Sequence, residues 1–106
     1  MDLNETLLTP EGFLVNWQDW NAEIAAQLAT TEAIHLTDEH WILLYFIRNY
    51  YKQFNYLPNT RIFIKTIAQQ LGHEKGNSSY LLQLFPNTPL KLVCKIAGLP
   101  KPPTCL

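Results

Sequence analysis

Residues 38–54 constrain the fold of this chain most. The longest apolar run, Trp41 to Ile47, lies there and ends at Arg48. Thr37 is a good N-cap, and Asp38 and Glu39 fall in the first turn, where the helix dipole favours acids. The stretch predicts a helix through His40, Trp41, Tyr50 and Tyr51 to about Phe54. Apolar residues occupy nearly all its faces, so it is expected to be the central buried helix. The run is far short of the ~18–20 apolar residues of a membrane span.

Punctuation on either side predicts more helices around it. Trp17, Trp20, Ile24 and Leu28 share one face at helical spacing, giving a helix from about Trp17 to Ala29 with Asn16 as N-cap. Pro58 disfavours helix at Leu57, so Asn55–Pro58 is a connector. A third helix is expected from about Asn59 to Leu71, with Ile62, Ile64, Ile67, Ala68 and Leu71 on its buried face and Gly72 as its stop. Asn77 caps a short helix over Ser78–Phe85 that ends before Pro86. Thr88-Pro89 opens a fifth, running to Ala97 with Gly98 as the residue beyond its end. Ahead of them all, Thr6–Leu8 and Phe13–Val15 flank Thr9-Pro10-Glu11-Gly12 and read as a short β-hairpin. The expected class is mainly α: one domain over residues 1–98, a compact bundle of about five helices, followed by a mobile arm over residues 99–106.

Composition supports one self-sufficient core. The 106 residues are 47% hydrophobic, 12% aromatic and 16% charged, which excludes a disordered chain. The net charge of −1 conceals an asymmetry. Residues 1–39 hold Asp2, Glu5, Glu11, Asp19, Glu23, Glu32, Asp38 and Glu39, with no Lys or Arg. All basic residues, Arg48 to Lys101, follow with the single acid Glu74. Either the fold keeps a basic face for an anionic partner, or the halves interleave and the charges mix. Without a basic segment leading into an apolar stretch at Met1–Thr9, a cytoplasmic protein with reduced thiols and no membrane insertion is expected.

The chain ends Leu99-Pro100-Lys101-Pro102-Pro103-Thr104-Cys105-Leu106. The prolines exclude a helix and favour extended polyproline geometry. From Gly98 to Cys105, at ~3.1 Å per residue, the arm spans roughly 20 Å, enough to enter a partner's cleft or to fold back on its own domain. A cysteine thiolate can attack sulfur and pass it on by the reverse exchange, so the penultimate Cys105 is the candidate nucleophile. Gly98, Pro100 and Pro102 would position the arm. Cys94, on the fifth helix, is separated from Cys105 by ten intervening residues. Between Val93 and Ile96 it reads first as a small core hydrophobe, and alternatively as a second thiol within reach of a fold-back. Cations favour a thiolate or persulfide. Arg48, Arg61, Lys65 and Lys101 are candidates to stabilise anionic sulfur or guide the arm, with Lys91 and Lys95 also close in sequence.

Several segments resemble the DsrC/TusE family: Leu36-Thr37-Asp-Glu-His40-Trp41, Phe46-Ile-Arg48-Asn-Tyr50-Tyr51, Pro58-Asn-Thr-Arg61 with Lys65, Glu74-Lys-Gly-Asn77-Ser-Ser-Tyr80-Leu81, Leu84-Phe85-Pro86, and Cys94-Lys-Ile-Ala-Gly98-Leu-Pro-Lys-Pro102 with Cys105. The resemblance covers most of the chain. It implies a helical domain with an N-terminal hairpin, a C-terminal arm and a sulfurtransferase role needing no cofactor. In the TusE branch the penultimate cysteine carries a persulfide. It receives sulfur from a TusBCD-type complex and delivers it to the tRNA thiolase MnmA for wobble 2-thiouridine, so tRNA is met only indirectly. In the DsrC branch the partner is dissimilatory sulfite reductase, and cysteines matching Cys94 and Cys105 share a trisulfide. Cys94 follows the DsrC pattern, whereas Pro103-Thr104 stands before Cys105 where DsrC tails carry glycine.

Other chemistries have weaker support. Thr66 to Gly72 followed by Asn77–Leu84 has helix-turn-helix punctuation, an alternative reading as a nucleic-acid-binding regulator. Its second helix carries no Lys or Arg to hold phosphates. His35, His40, His73, Cys94 and Cys105 show no metal-ligand spacing, so no metal is expected. His40 is expected to cap or pack at the start of its helix.

Overall fold

The computed structural model describes residues 7–103. Five α-helices follow a 3₁₀ turn at Trp17–Asp19: α1 (Ala22–Thr31), α2 (Asp38–Phe54), α3 (Thr60–Leu71), α4 (Ser78–Leu84) and α5 (Pro89–Ile96). Helix α5 packs against α1, α2 and α4, so the segment leading into the arm sits at the centre of the bundle.

Side-chain caps open α3 and α4, whereas Thr88 makes no side-chain cap bond ahead of α5. The Asn59 side chain accepts from the Ile62 N–H, and Asn77 accepts from Tyr80 N–H. Asn77 also donates to the carbonyls of His73 and Glu74, which closes the loop before α4. At the head of α2, the Thr37 N–H donates to His40 Nδ1. That bond makes Nδ1 the acceptor, so Nε2 carries the proton and donates to Leu84 O at 2.8 Å. His40 thus ties the start of α2 to the end of α4, its ring edge-on to Phe85. Helix α2 stops at Asn55, in the left-handed region at φ 61°, ahead of Pro58.

Four expectations need correction. The N-terminal β-hairpin is not formed: no strand occurs among the described residues. Leu8 and Leu14 make a single antiparallel bridge around a turn closed by Gly12 N–H to Thr9 O. A ladder this short has no further strand to extend it. Phe13 and Leu14, both 2% exposed, anchor the turn to the helices instead. Thr6, the expected start of that hairpin, lies outside the described residues.

The predicted helix from Trp17 is broken. Trp20 is extended, at φ −73° and ψ 143°, and α1 begins only after a second cap at Asn21. A continuous helix would require Trp17 O to accept from the residue four further on. In the fold that carbonyl accepts from the Trp20 N–H, three residues on, and from Arg48.

On α3 the buried residues are Phe63 and Ile67, while Ile62 is 39% exposed. Helix α2 is likewise less enclosed than its composition suggests. Leu43, Leu44 and Ile47 are buried, but Tyr45 and Ile42 reach solvent.

Candidate functional site

The site grows from the end of α5. Gly98 N–H donates to Lys95 O, and Leu99 N–H donates to Cys94 O at 2.9 Å. These are the two bonds of a Schellman stop, with Gly98 in the left-handed position at φ +74°. Leu99, the residue after it, is fully buried, which pins the turn to the core.

Aromatic and cationic groups close over this turn. Trp20 Nε1 donates to Ile96 O at 2.9 Å. Arg48 donates through one nitrogen to Ala97 O at 2.8 Å and through the other to Trp17 O at 3.0 Å. Its guanidinium lies 4.4 Å from the Trp20 ring centroid and 5.2 Å from that of Trp17, in cation–π range. Burial pulls the Arg48 pKa below its ordinary value, opposed by Tyr45. The carbonyls and ring faces compensate for the lost water. Glycine is required at position 98 twice over, because a Cβ there would stand 2.4 Å from Trp20 Cδ1.

Past Leu99 the chain lies along the body. Pro100 and Lys101 are exposed, and Pro102 is buried. Lys101 Nζ pairs with Glu11 at 2.7 Å, so the N-terminal turn holds the arm. That hydrogen bond, then the Lys101 charge, and more weakly Lys91, depress the Glu11 pKa. Beside Pro102 and Pro103 runs a groove of about 640 Å³. Pro89 and Leu90 contribute its apolar surface, and Arg61, Lys91 and Lys101 supply its cations.

The structure therefore separates the expected site residues. Gly98 and Arg48 form the root of the arm. Pro102, Lys101 and Arg61 border the groove. Pro100 points to solvent, and Lys65 is exposed and does not line the groove. Cys94 is fully buried in α5. Cys105 lies outside the described residues, two positions beyond Pro103. Sequence reasoning missed Trp20, taken as a helix-face residue. The signal available was its indole N–H, which needs an acceptor when buried. It also left Lys91 without a role, although that residue borders the groove.

The charge asymmetry resolves as mixing. Glu11–Lys101, Glu32–Lys95 and Glu39–Lys75 each join the acidic first third to the basic remainder. Arg61 and Lys91 make no ion pair among the described residues. Among those residues no group of three His, Cys, Asp or Glu could hold a metal. No helix among them is long and apolar enough to cross a membrane.

The fold and site define a small helical protein that presents its C-terminal segment from a clamped turn. The chain belongs to the DsrC-like family, described as "DsrC like protein", whose pattern matches residues 1–106. It is 52% identical over 96 residues to the sulfurtransferase TusE of Photorhabdus laumondii, covering 91% of this chain and 86% of that one. To the TusE of Sodalis glossinidius it is 44% identical over 108 residues, covering 100% of both. Among solved structures it resembles Allochromatium vinosum DsrC, with a TM-score of 0.85, 42% identity and coverage of 93% of this chain and 88% of that one. The oxidized gamma-subunit of the dissimilatory sulfite reductase (DsrC) from Archaeoglobus fulgidus aligns with a TM-score of 0.79 and 36% identity, covering 93% and 90%.

Proposed function

We propose that this chain is a sulfur-relay protein that accepts sulfane sulfur as a persulfide on Cys105 and hands it to a partner. The sulfurtransferase relatives support sulfur transfer as its activity. The observation that carries the site assignment is the clamped Schellman turn, beyond which Lys101, Pro102 and Pro103 border a groove also lined by Arg61 and Lys91. Two further residues of at most ~3.6 Å each keep Cys105 within roughly 7 Å of Pro103. A cation brought close to the sulfur favours an anionic thiolate or persulfide over its protonated form, and the groove supplies Arg61, Lys91 and Lys101 for that role. Arg48 acts on the arm's root, since its guanidinium is engaged by two carbonyls. Lys101 guides the arm through Glu11.

The relay is TusE-like in this reading. A donor complex of the TusBCD type loads Cys105, and a tRNA thiolase of the MnmA type unloads it for wobble 2-thiouridine in the cytoplasm. The burial of Cys94 supports a single working thiol over a two-thiol, DsrC-like carrier, because exchange requires access to the attacked sulfur. Nucleic-acid binding through α3 and α4 finds little support. Helix α4 carries no Lys or Arg, and it turns Leu81 into the core.

Intact-mass spectrometry after incubation with a persulfide donor tests the assignment. The wild-type chain is expected to gain about 32 Da, reversed by reductant. Cys94→Ser should retain the adduct and Cys105→Ser should lose it. An adduct that persists in Cys105→Ser but needs Cys94 would overturn the assignment.

A further inference from the structure

We propose that Trp20 is a positioning residue that sets the direction in which the C-terminal segment leaves the body. The proposal rests on Cys105 being the sulfur-carrying thiol. One indole holds three successive residues. Its N–H bonds Ile96 O at 2.9 Å. Its face carries the Arg48 guanidinium that bonds Ala97 O at 2.8 Å. Its edge covers Gly98, leaving no room for a Cβ. Trp41 and Tyr45 hold the indole in turn, edge-on at 6.5 and 5.6 Å between centroids. The break in the helical pattern at Trp20 is what delivers the ring to this place. A Trp20 wound into α1 would not carry the extended backbone seen there.

Lever length makes this turn matter. A tilt of about 10° at Gly98 displaces a point about 20 Å along a polyproline arm by roughly 3.5 Å. Misplacement of a reacting group by even ~1 Å can cost about a hundredfold in rate. The prolines stiffen the arm and the exposed Glu11–Lys101 pair touches it further out, while the turn sets the angle at which it leaves the body. Trp20 therefore acts on sulfur delivery without touching sulfur.

The test uses full-length Trp20→Phe and Trp20→Leu. The phenylalanine keeps a ring over Gly98 and under Arg48 but loses the N–H, whereas leucine loses both. One readout is the backbone ¹⁵N heteronuclear NOE at Leu99 and Lys101. The second is a ratio: the rate at which Cys105 persulfide is delivered to the acceptor thiolase, over the rate at which the Cys105 thiol reacts with a small aromatic disulfide. Trp20→Leu should lower both NOEs toward loop values and reduce the ratio roughly tenfold, with Trp20→Phe between it and wild type. A merely structural role would lower thermal stability without moving the ratio. If Trp20→Leu fails to fold, Arg48→Lys, which loses the planar fork holding Ala97 O and Trp17 O, should change NOEs and ratio in the same direction. Wild-type NOEs and ratio in a folded Trp20→Leu overturn the proposal. A wild-type chain that takes no sulfur at Cys105 would instead sink the function reading, and the NOE comparison would then decide the part played by Trp20.

Discussion

At the scale of single residues, Gly98 shows how one position can be constrained from two directions. Its φ of +74° costs an alanine about 1–2 kcal/mol. The contact with Trp20 adds an overpacking cost of about 1–3 kcal/mol. Gly98→Ala should therefore destabilise the fold by roughly 2–5 kcal/mol in urea titration, and a loss below about 0.5 kcal/mol would contradict the clamp geometry. The stop itself was legible, because glycine after Lys95-Ile96-Ala97 is a helix-end signal. The reason no other residue fits was not legible, because Trp20 stands 78 positions away in the sequence. Arg48 was recognisable as unusual within an apolar helix. Its partners, the carbonyls of Trp17 and Ala97, could not be inferred from its neighbours.

At the scale of elements, caps and stops were readable because they act within a few residues. Asn77→Ala removes the cap on Tyr80 N–H and the bonds to His73 and Glu74 carbonyls. It should cost about 1–2 kcal/mol, read as a drop in thermal midpoint. Helix phase was harder. Ile62, Phe63 and Ile64 are consecutive apolar residues, so periodicity alone could not choose the buried one. Packing puts Phe63 at 0% exposure and leaves Ile62 at 39%. Phe63→Ala should cost about 3–5 kcal/mol and Ile62→Ala under about 1 kcal/mol. Comparable losses for the two would mean that α3 is rotated. The first helix failed in the reading for a related reason. Both Asn16 and Asn21 are good caps, and the tertiary demand for Trp17 O and Trp20 at the arm's root selects the second.

At the scale of the whole molecule, the ion pairs predict the pH profile. Hydrogen bonds from Lys101 to Glu11, and from Lys75 and Tyr80 to Glu39, hold both carboxyls below their ordinary 4.5. A depressed carboxyl stabilises the fold above its unfolded value, and that contribution is lost as pH falls through the folded value. The hydrogen bond to Glu39 raises Lys75 above 10.5, and burial above all raises Tyr50 and Tyr80 above 10.0. Their contributions are present below those unfolded values and are lost as pH rises through the folded ones. Thermal midpoints should form a plateau between about pH 5 and pH 9.5 and fall on both sides; a steep decline between about pH 6 and 8 would contradict this assignment. The sequence by itself determined the number of helices and most of their ends, because caps, glycines and prolines act through bonds to near neighbours. It also placed a cysteine beyond a proline-rich segment. Tertiary structure alone decided which helix faces are buried, that the acidic third pairs with the basic remainder, and that Trp20 and Arg48 grip the arm's root. Those outcomes depend on contacts between residues far apart in the chain, which no local pattern encodes.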